Sequence, residues 1–126
     1  MKLNFKMPAF LKSYYTTELV NYREAKMSGN LNKAWYHIER AHILGQRYPI
    51  EHSITHWYML KLGWSTNDTK EILGQLPRLF FGGPLSLINK IPVGNVGSTR
   101  VSMIQPQPIP SDIQLIFNEL ENKVSL

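Results

Sequence analysis

The sequence predicts an all-α fold, a small antiparallel bundle of four to five helices with an extended non-helical arm near residues 92–110. Apolar residues recur at three- and four-residue intervals over most of the chain, which is the period of an amphipathic helix. Short links containing Gly or Pro separate these stretches, and short links favour antiparallel neighbours. Because the chain has 126 residues, we expect one helical domain over residues 1–126.

The first two helices are predicted at residues 8–28 and 31–44. Pro8 suits the first turn of a helix, because its missing N–H has no helical partner there. Gly29 and Gly45 each follow a predicted helix, where glycine readily takes the left-handed conformation that ends a helix. These boundaries predict a helical hairpin.

The junction between these two helices resembles a tetratricopeptide repeat. Gly29, Ala34, Ile38 and Ala41 follow the order of glycine, small and bulky residues that lets two helices approach closely in that repeat. The resemblance covers residues 19–45 and implies a module that binds other proteins. A solenoid needs at least three repeats, and the chain has no second copy, so we favour an ordinary helical hairpin.

Two further helices are predicted before the composition changes. The third runs over residues 49–62, and Gly63 is expected to end it. The fourth opens at Asp68, which we interpret as a helix cap. Pro77 should kink or end this helix, and the Gly-Gly-Pro sequence at residues 82–84 should close the segment.

The C-terminal third has the composition of loops and one last helix. We predict a short helical turn at residues 85–89, and a short strand or extended segment at residues 100–104. Alternating prolines predict an extended chain over residues 105–110. A final helix is predicted over residues 111–122, where Ser and Gln have the spacing of a capping box.

The charge and apolar patterns exclude several classes of protein. The 14 Lys and Arg exceed the 9 Asp and Glu, but no two basic residues are adjacent, so we expect no specific nucleic-acid binding. No apolar run approaches the roughly 20 residues of a membrane span. The absence of Cys excludes disulfides and thiolate metal sites. With no signal-peptide pattern at its start, we expect a cytoplasmic protein.

All four histidines lie in one short window, and three of them can meet across a hairpin. Glu39 and His42 are three residues apart, so they share one helix face; His52 and His56 are four apart on the next helix. If the chain turns tightly between the helices, His42 lies opposite His52, and Glu39 lies opposite His56. His37 points about 140° away from His42 and is left out.

Four converging nitrogen and oxygen ligands suit a divalent transition metal, and we expect zinc or iron. The predicted ligands are Glu39, His42, His52 and His56. Two alternatives stay open: a buried polar network without metal, and histidines that are close only by chance. Glu18 and Glu71 are candidates for further ligands.

Trp35 shares the helix face of the predicted ligands, one turn further from the hairpin loop. The same register places it opposite Met59. We therefore expect a buried Trp35 that packs on Met59 and forms an apolar floor under the cluster, which limits the access of water.

The run at residues 34–46, followed by His52 and His56, resembles a small bacterial family of unknown function, domain-of-unknown-function family 3703. The segment 92–97 also resembles its motifs, although the family tends to carry Thr where this chain has Val96. The resemblance covers residues 10–115. It implies a shared fold and brings no established activity, so no reaction or substrate is assigned.

The sequence Gly94-Asn95-Val96-Gly97 has two interpretations. Its backbone N–H groups could face an anion. It lacks the lysine of a phosphate-binding loop, so nucleotide binding is a weak interpretation. We favour a structural turn, because glycine and asparagine are ordinary turn residues.

The second functional hypothesis is a helical interaction module or a homodimer without metal. The repeat-like hairpin and the proline-rich arm favour it. An exposed apolar surface on the protein would support this hypothesis. The residues expected to supply that surface are Trp57, Tyr58, Trp64, Phe80 and Phe81.

Overall fold

The computed structural model describes residues 6–87, 94–101 and 105–125, and five helices contain most of them. No residue in these ranges forms a strand, so the predicted all-α fold is confirmed. The helices are α1 (Ala9–Met27), α2 (Leu31–Gly45), α3 (Pro49–Ser65), α4 (Thr69–Leu87) and α5 (Ser111–Ser125).

The first four helices pack in order, α1 on α2, α2 on α3 and α3 on α4, and α5 packs on α1. Links of only three residues join α1 to α2, α2 to α3 and α3 to α4, so each helix folds back along the one before it. Apolar side chains from the inner faces form one core. Its buried members are Met7, Leu11, Tyr15, Tyr22, Ala25, Ala34, Ile38, Ala41, Ile43, Leu44, Met59, Leu62, Val96 and Ile113.

The helix boundaries follow the expected capping chemistry at two of the links. Gly29 has a φ of +79° after α1, and the side chain of Asn30 accepts a hydrogen bond from Lys33 N at the start of α2. At the third link, Asp68 Oδ1 accepts from Glu71 N at 3.1 Å. The predicted cap at Asp68 is therefore confirmed.

Two predicted helix ends were wrong. Gly63 does not end α3, which continues to Ser65; an added Cβ there would lie 3.1 Å from Glu71 Cβ, so glycine allows α4 to approach closely. Residues 82–84 do not end α4, which continues to Leu87; of the kink or end predicted at Pro77, the end is therefore excluded. Each proline removes one helical hydrogen bond, and Pro77 faces solvent, where water can satisfy the carbonyl that it frees.

The C-terminal arm packs beside the turn that follows α4. Residues 105–110 have no regular structure, and Asn95 Nδ2 donates to Gln105 O at 2.6 Å. Of the helical turn predicted at residues 85–89, residues 85–87 form the end of α4. Residues 88 and 89 lie outside the described residues. Of the predicted strand at 100–104, the first two residues form a turn, and the others also lie outside.

Within the described part of the chain, none of the helices combines the length and the apolar character that crossing a membrane requires.

Candidate metal centre

Three histidine nitrogens meet between the end of α2 and the first half of α3. The Nε2 atoms of His42, His52 and His56 form a triangle with sides of 3.0, 3.1 and 2.9 Å. Each residue is only 2% exposed. Among the described residues, these three histidines form the one group of three or more His, Asp or Glu side chains that lie close enough together to hold a metal ion.

The hydrogen bonds of two of these rings fix which nitrogen carries the proton. His42 Nδ1 lies 2.7 Å from the backbone oxygen of Asn95, which only accepts, so Nδ1 is the donor. His56 Nδ1 lies 2.6 Å from Gln75 Oε1. In the neutral rings, Nε2 of His42 and of His56 therefore has a free lone pair directed at the centre of the triangle.

The orientation of the Gln75 amide is itself fixed by its neighbours. Gln75 Nε2 donates to Glu71 Oε1 and to Gly97 O, both at 2.9 Å, so Oε1 must face His56. Glu71 in turn accepts from the backbone N of Thr99 at 3.0 Å. This chain of contacts orients the His56 ring from the side opposite its Nε2, as partners of metal-bound histidines commonly do.

Burial keeps the imidazoles of His42 and His56 neutral. It lowers the pKa of His42 well below the ordinary 6.5, and the charges of His56 and His52 lower it further. Burial also lowers the pKa of His56 to about 3, with His52 as the next cause. Arg78 contributes to the lowered pKa of both rings. Neutral imidazole is the form that binds metal.

The triangle has the dimensions of one face of a coordination octahedron. A metal at 2.0–2.1 Å from each nitrogen would stand about 1 Å above the plane, with N–metal–N angles of about 90–95°. A regular tetrahedron would need nitrogens about 3.4 Å apart, a widening of about 0.4 Å. Three further positions of an octahedron, or one of a tetrahedron, would remain for other ligands.

The turn after α4 covers the cluster and was missed as part of the site. Asn95 and Gly97 supply the two carbonyl groups that accept from His42 and Gln75. Gly97 N donates to Asn95 Oδ1 at 2.9 Å, and Val96 N donates to Gln107 Oε1 at 3.2 Å. The turn is structural, as favoured from sequence, and it directs carbonyls rather than N–H groups at the site.

Glu39 is not brought into the cluster. Its Oε2 accepts from Ser98 Oγ and from Arg100 Nε, the latter at 2.8 Å. Glu39 and His42 share a face of α2, but the hydroxyl and the guanidinium of the covering turn hold the carboxylate beside them. The structure therefore brings together three of the four residues predicted as ligands.

The other residues singled out from sequence lie around the cluster. Glu18 pairs with His37 at 2.7 Å and with Arg40 at 2.8 Å, which agrees with leaving His37 out of the site. Trp35 is only partly buried, at the margin of the core, so the expectation of a buried Trp35 was wrong. Met59 is fully buried, with Sδ 3.4 Å from Gln75 Nε2.

Comparison with known proteins identifies the family. Residues 9–117 match the family described as "Protein of unknown function (DUF3703)". No curated protein and no solved structure matches the chain. The resemblance to a tetratricopeptide repeat is not confirmed. The matched residues include all five helical segments at least in part, so the chain belongs to the DUF3703 family of proteins of unknown function.

Proposed function

We propose that this protein binds a divalent transition metal, zinc or iron, through Nε2 of His42, His52 and His56. The observation that carries the proposal is the convergence of the three Nε2 atoms, 2.9–3.1 Å apart in a buried site. Imidazole nitrogen is a preferred ligand of both metals.

A proton count favours the metal over a purely polar network. His42 and His56 both use their ring proton on Nδ1, towards Asn95 O and Gln75 Oε1. The three Nε2–Nε2 contacts then have at most one proton between them in the neutral state, on His52. Lone pairs that face each other in a buried site repel, whereas one cation in the centre satisfies all three.

The test is a zinc titration of the metal-free full chain, with stoichiometry measured by elemental analysis. We expect one zinc per chain for the native protein and a loss of at least tenfold in affinity for His42→Ala and for His52→Ala. His37→Ala is the matched control, because His37 is also buried on α2 but binds Glu18. Its affinity should match that of the native protein.

Two outcomes would overturn the proposal. One is a stoichiometry far below one metal per chain for both zinc and iron. The other is native zinc affinity in folded His42→Ala and His52→Ala, which would show that these histidines are not ligands. Circular dichroism of each variant checks that the helices are retained.

We further propose that α3 and α4 form a homodimer surface. Several of their outward positions carry exposed apolar side chains, with Trp64 70% and Phe80 74% exposed. The apolar residues of these positions on the two helices are Trp57, Trp64, Leu73, Leu76, Phe80 and Phe81. Together they expose roughly 700 Å², more than the largest apolar patch of a typical monomer and close to one side of a standard protein interface.

Sedimentation equilibrium of the native chain and of Trp64→Glu tests the dimer. We expect a dimer that Trp64→Glu converts to monomer, because a charge in an apolar interface must lose its water. Tyr36→Glu, at an exposed aromatic on α2, is the matched control and should stay dimeric. A native protein that is monomeric at high concentration would contradict the proposal.

A further inference from the structure

We propose that the metal centre takes a small oxyanion group, a carboxylate or a phosphate, as an exogenous ligand, and that Arg78 binds this group beside the metal. The inference rests on the proposed metal site. It adds the class of ligand that the site recognises and a residue that recognises it.

Arg78 is a buried cation whose hydrogen bonds go only to neutral groups. It is 8% exposed; its NH1 donates to Gly74 O at 3.1 Å and its NH2 to Val101 O at 2.9 Å. Its Nε–H has no hydrogen-bond partner in the described residues. Five N–H hydrogens are available on a guanidinium, so three remain for a ligand. Among the described residues no carboxylate forms a hydrogen bond with Arg78, and the charge of Glu71 offsets the desolvation of the guanidinium only in part, since burial still lowers the pKa of Arg78.

Arg78 is connected to the candidate centre through α4 and through the segment that covers His42. It is three residues after Gln75, on the same face of α4, and Gln75 contacts His56 directly. Its NH2 binds Val101, at the end of the segment 94–101 that covers His42.

With a metal bound, the positive charge of the site would exceed its negative charge, which favours the binding of an anion. Three neutral imidazoles would leave the two positive charges of the metal uncompensated, and Arg78 adds a third. Glu39 is paired with Arg100, and Glu18 with Arg40 and His37. That leaves the buried Glu71 as the nearby carboxylate, and its single negative charge offsets only one of these three positive charges. An exogenous anion would therefore be stabilised by the metal and the guanidinium together.

Three protein ligands leave coordination positions of the metal available for such a ligand. Three nitrogens on one face of an octahedron leave the opposite face open for oxygen ligands. A carboxylate or a phosphate has several oxygens, so one can bind the metal while another accepts from the Nε–H of Arg78. A guanidinium recognises both groups through paired N–H donors.

The test uses the full chain loaded with Co²⁺, whose visible absorption reports the ligands of the metal. Formate and inorganic phosphate are titrated separately at constant ionic strength. We expect a saturable spectral change, and the anion that reaches half-saturation at the lower concentration, formate or phosphate, identifies the preferred group. Arg78→Gln should weaken the binding of this anion at least tenfold, which corresponds to about 1.4 kcal/mol. Arg100→Gln removes an exposed arginine paired with Glu39 and should leave anion binding unchanged.

Cobalt stoichiometry, measured in the same samples, separates this inference from the proposed function. Failure to bind cobalt would contradict the metal site itself. One cobalt per chain, with equal anion affinity in the native protein and in Arg78→Gln, would overturn the role of Arg78. The absence of any spectral change with both anions would overturn the oxyanion ligand. If Arg78→Gln does not fold, Arg78→Lys replaces it, and native anion affinity in that variant would contradict recognition by the guanidinium.

Discussion

Gly97 lies directly against the imidazole ring of His42. A Cβ on Gly97 would stand 2.4 Å from His42 Cδ2, and the residue has a φ of +86°, which favours glycine. The covering turn therefore approaches the cluster as closely as a backbone can. Its carbonyls can reach His42 and Gln75 only because no side chain intervenes.

Gly97→Ala should destabilise the protein and weaken metal binding together. The left-handed φ costs a residue with a side chain about 1–2 kcal/mol, and overpacking against His42 adds about 1–3 kcal/mol. The measurement is the free energy of unfolding in urea, followed by a zinc titration. Gly29→Ala is the matched control, because Gly29 has a φ of +79° but no atom within 4 Å of the added Cβ. Equal losses of stability in both variants would show that the contact with His42 has no effect.

The helical part of the fold could be predicted because its signals are local. Apolar periodicity and caps at residues such as Asp68 determine where helices begin. The pairing of His42 with His52 also followed from sequence, since a short link fixes the register of a hairpin. The helix end predicted at Gly63 and the possible end at Pro77 were wrong. Gly63 lies inside α3 where α4 approaches closely, and water can satisfy the carbonyl that the exposed Pro77 frees.

The surroundings of the three histidines could not be predicted in the same way. Asn95 and Gly97 reach His42 from more than fifty residues away in the chain, through backbone carbonyls that no sequence pattern marks. Glu39 has the right spacing to His42, but its partners Ser98 and Arg100 come from that same distant turn. Spacing along one helix cannot show which of two neighbours a carboxylate will bind.

Gln75→Leu should weaken metal binding while leaving the three ligands in place. It removes the oxygen that accepts from His56 Nδ1 and so frees the ring to turn or change tautomer. Partners of this kind are worth about 10- to 100-fold in metal affinity. Competition with a zinc chelator measures the change, and Gln114→Leu, an exposed glutamine on α5, is the control. Native affinity in Gln75→Leu would contradict the role assigned to this contact.

The metal-free protein should lose stability as the pH falls below about 6.5. The folded state holds His42 and His56 at a lowered pKa, the latter about 3, whereas both have the ordinary value of 6.5 when unfolded. The unfolded state therefore binds more protons between these values, and the free energy of unfolding falls by about 1.4 kcal/mol per histidine for each pH unit. The full contribution of these groups is present above pH 6.5.

Urea denaturation at about pH 7.5, 6.5 and 5.5 would measure this dependence. A spacing of about one pH unit is enough to resolve the slope. His56→Gln should reduce the slope below pH 6.5, because one of the two groups no longer titrates. The same free energy of unfolding at the highest and lowest pH would show that the buried rings do not resist protonation.

The most direct test of the metal site is anomalous diffraction from crystals of the zinc-loaded protein, recorded on both sides of the zinc absorption edge. We predict one strong anomalous peak, about 2.0–2.1 Å from each Nε2 of His42, His52 and His56. A peak at another place, such as the pair of His37 and Glu18, would contradict the central claim, and so would crystals of zinc-treated protein with no peak at the three histidines.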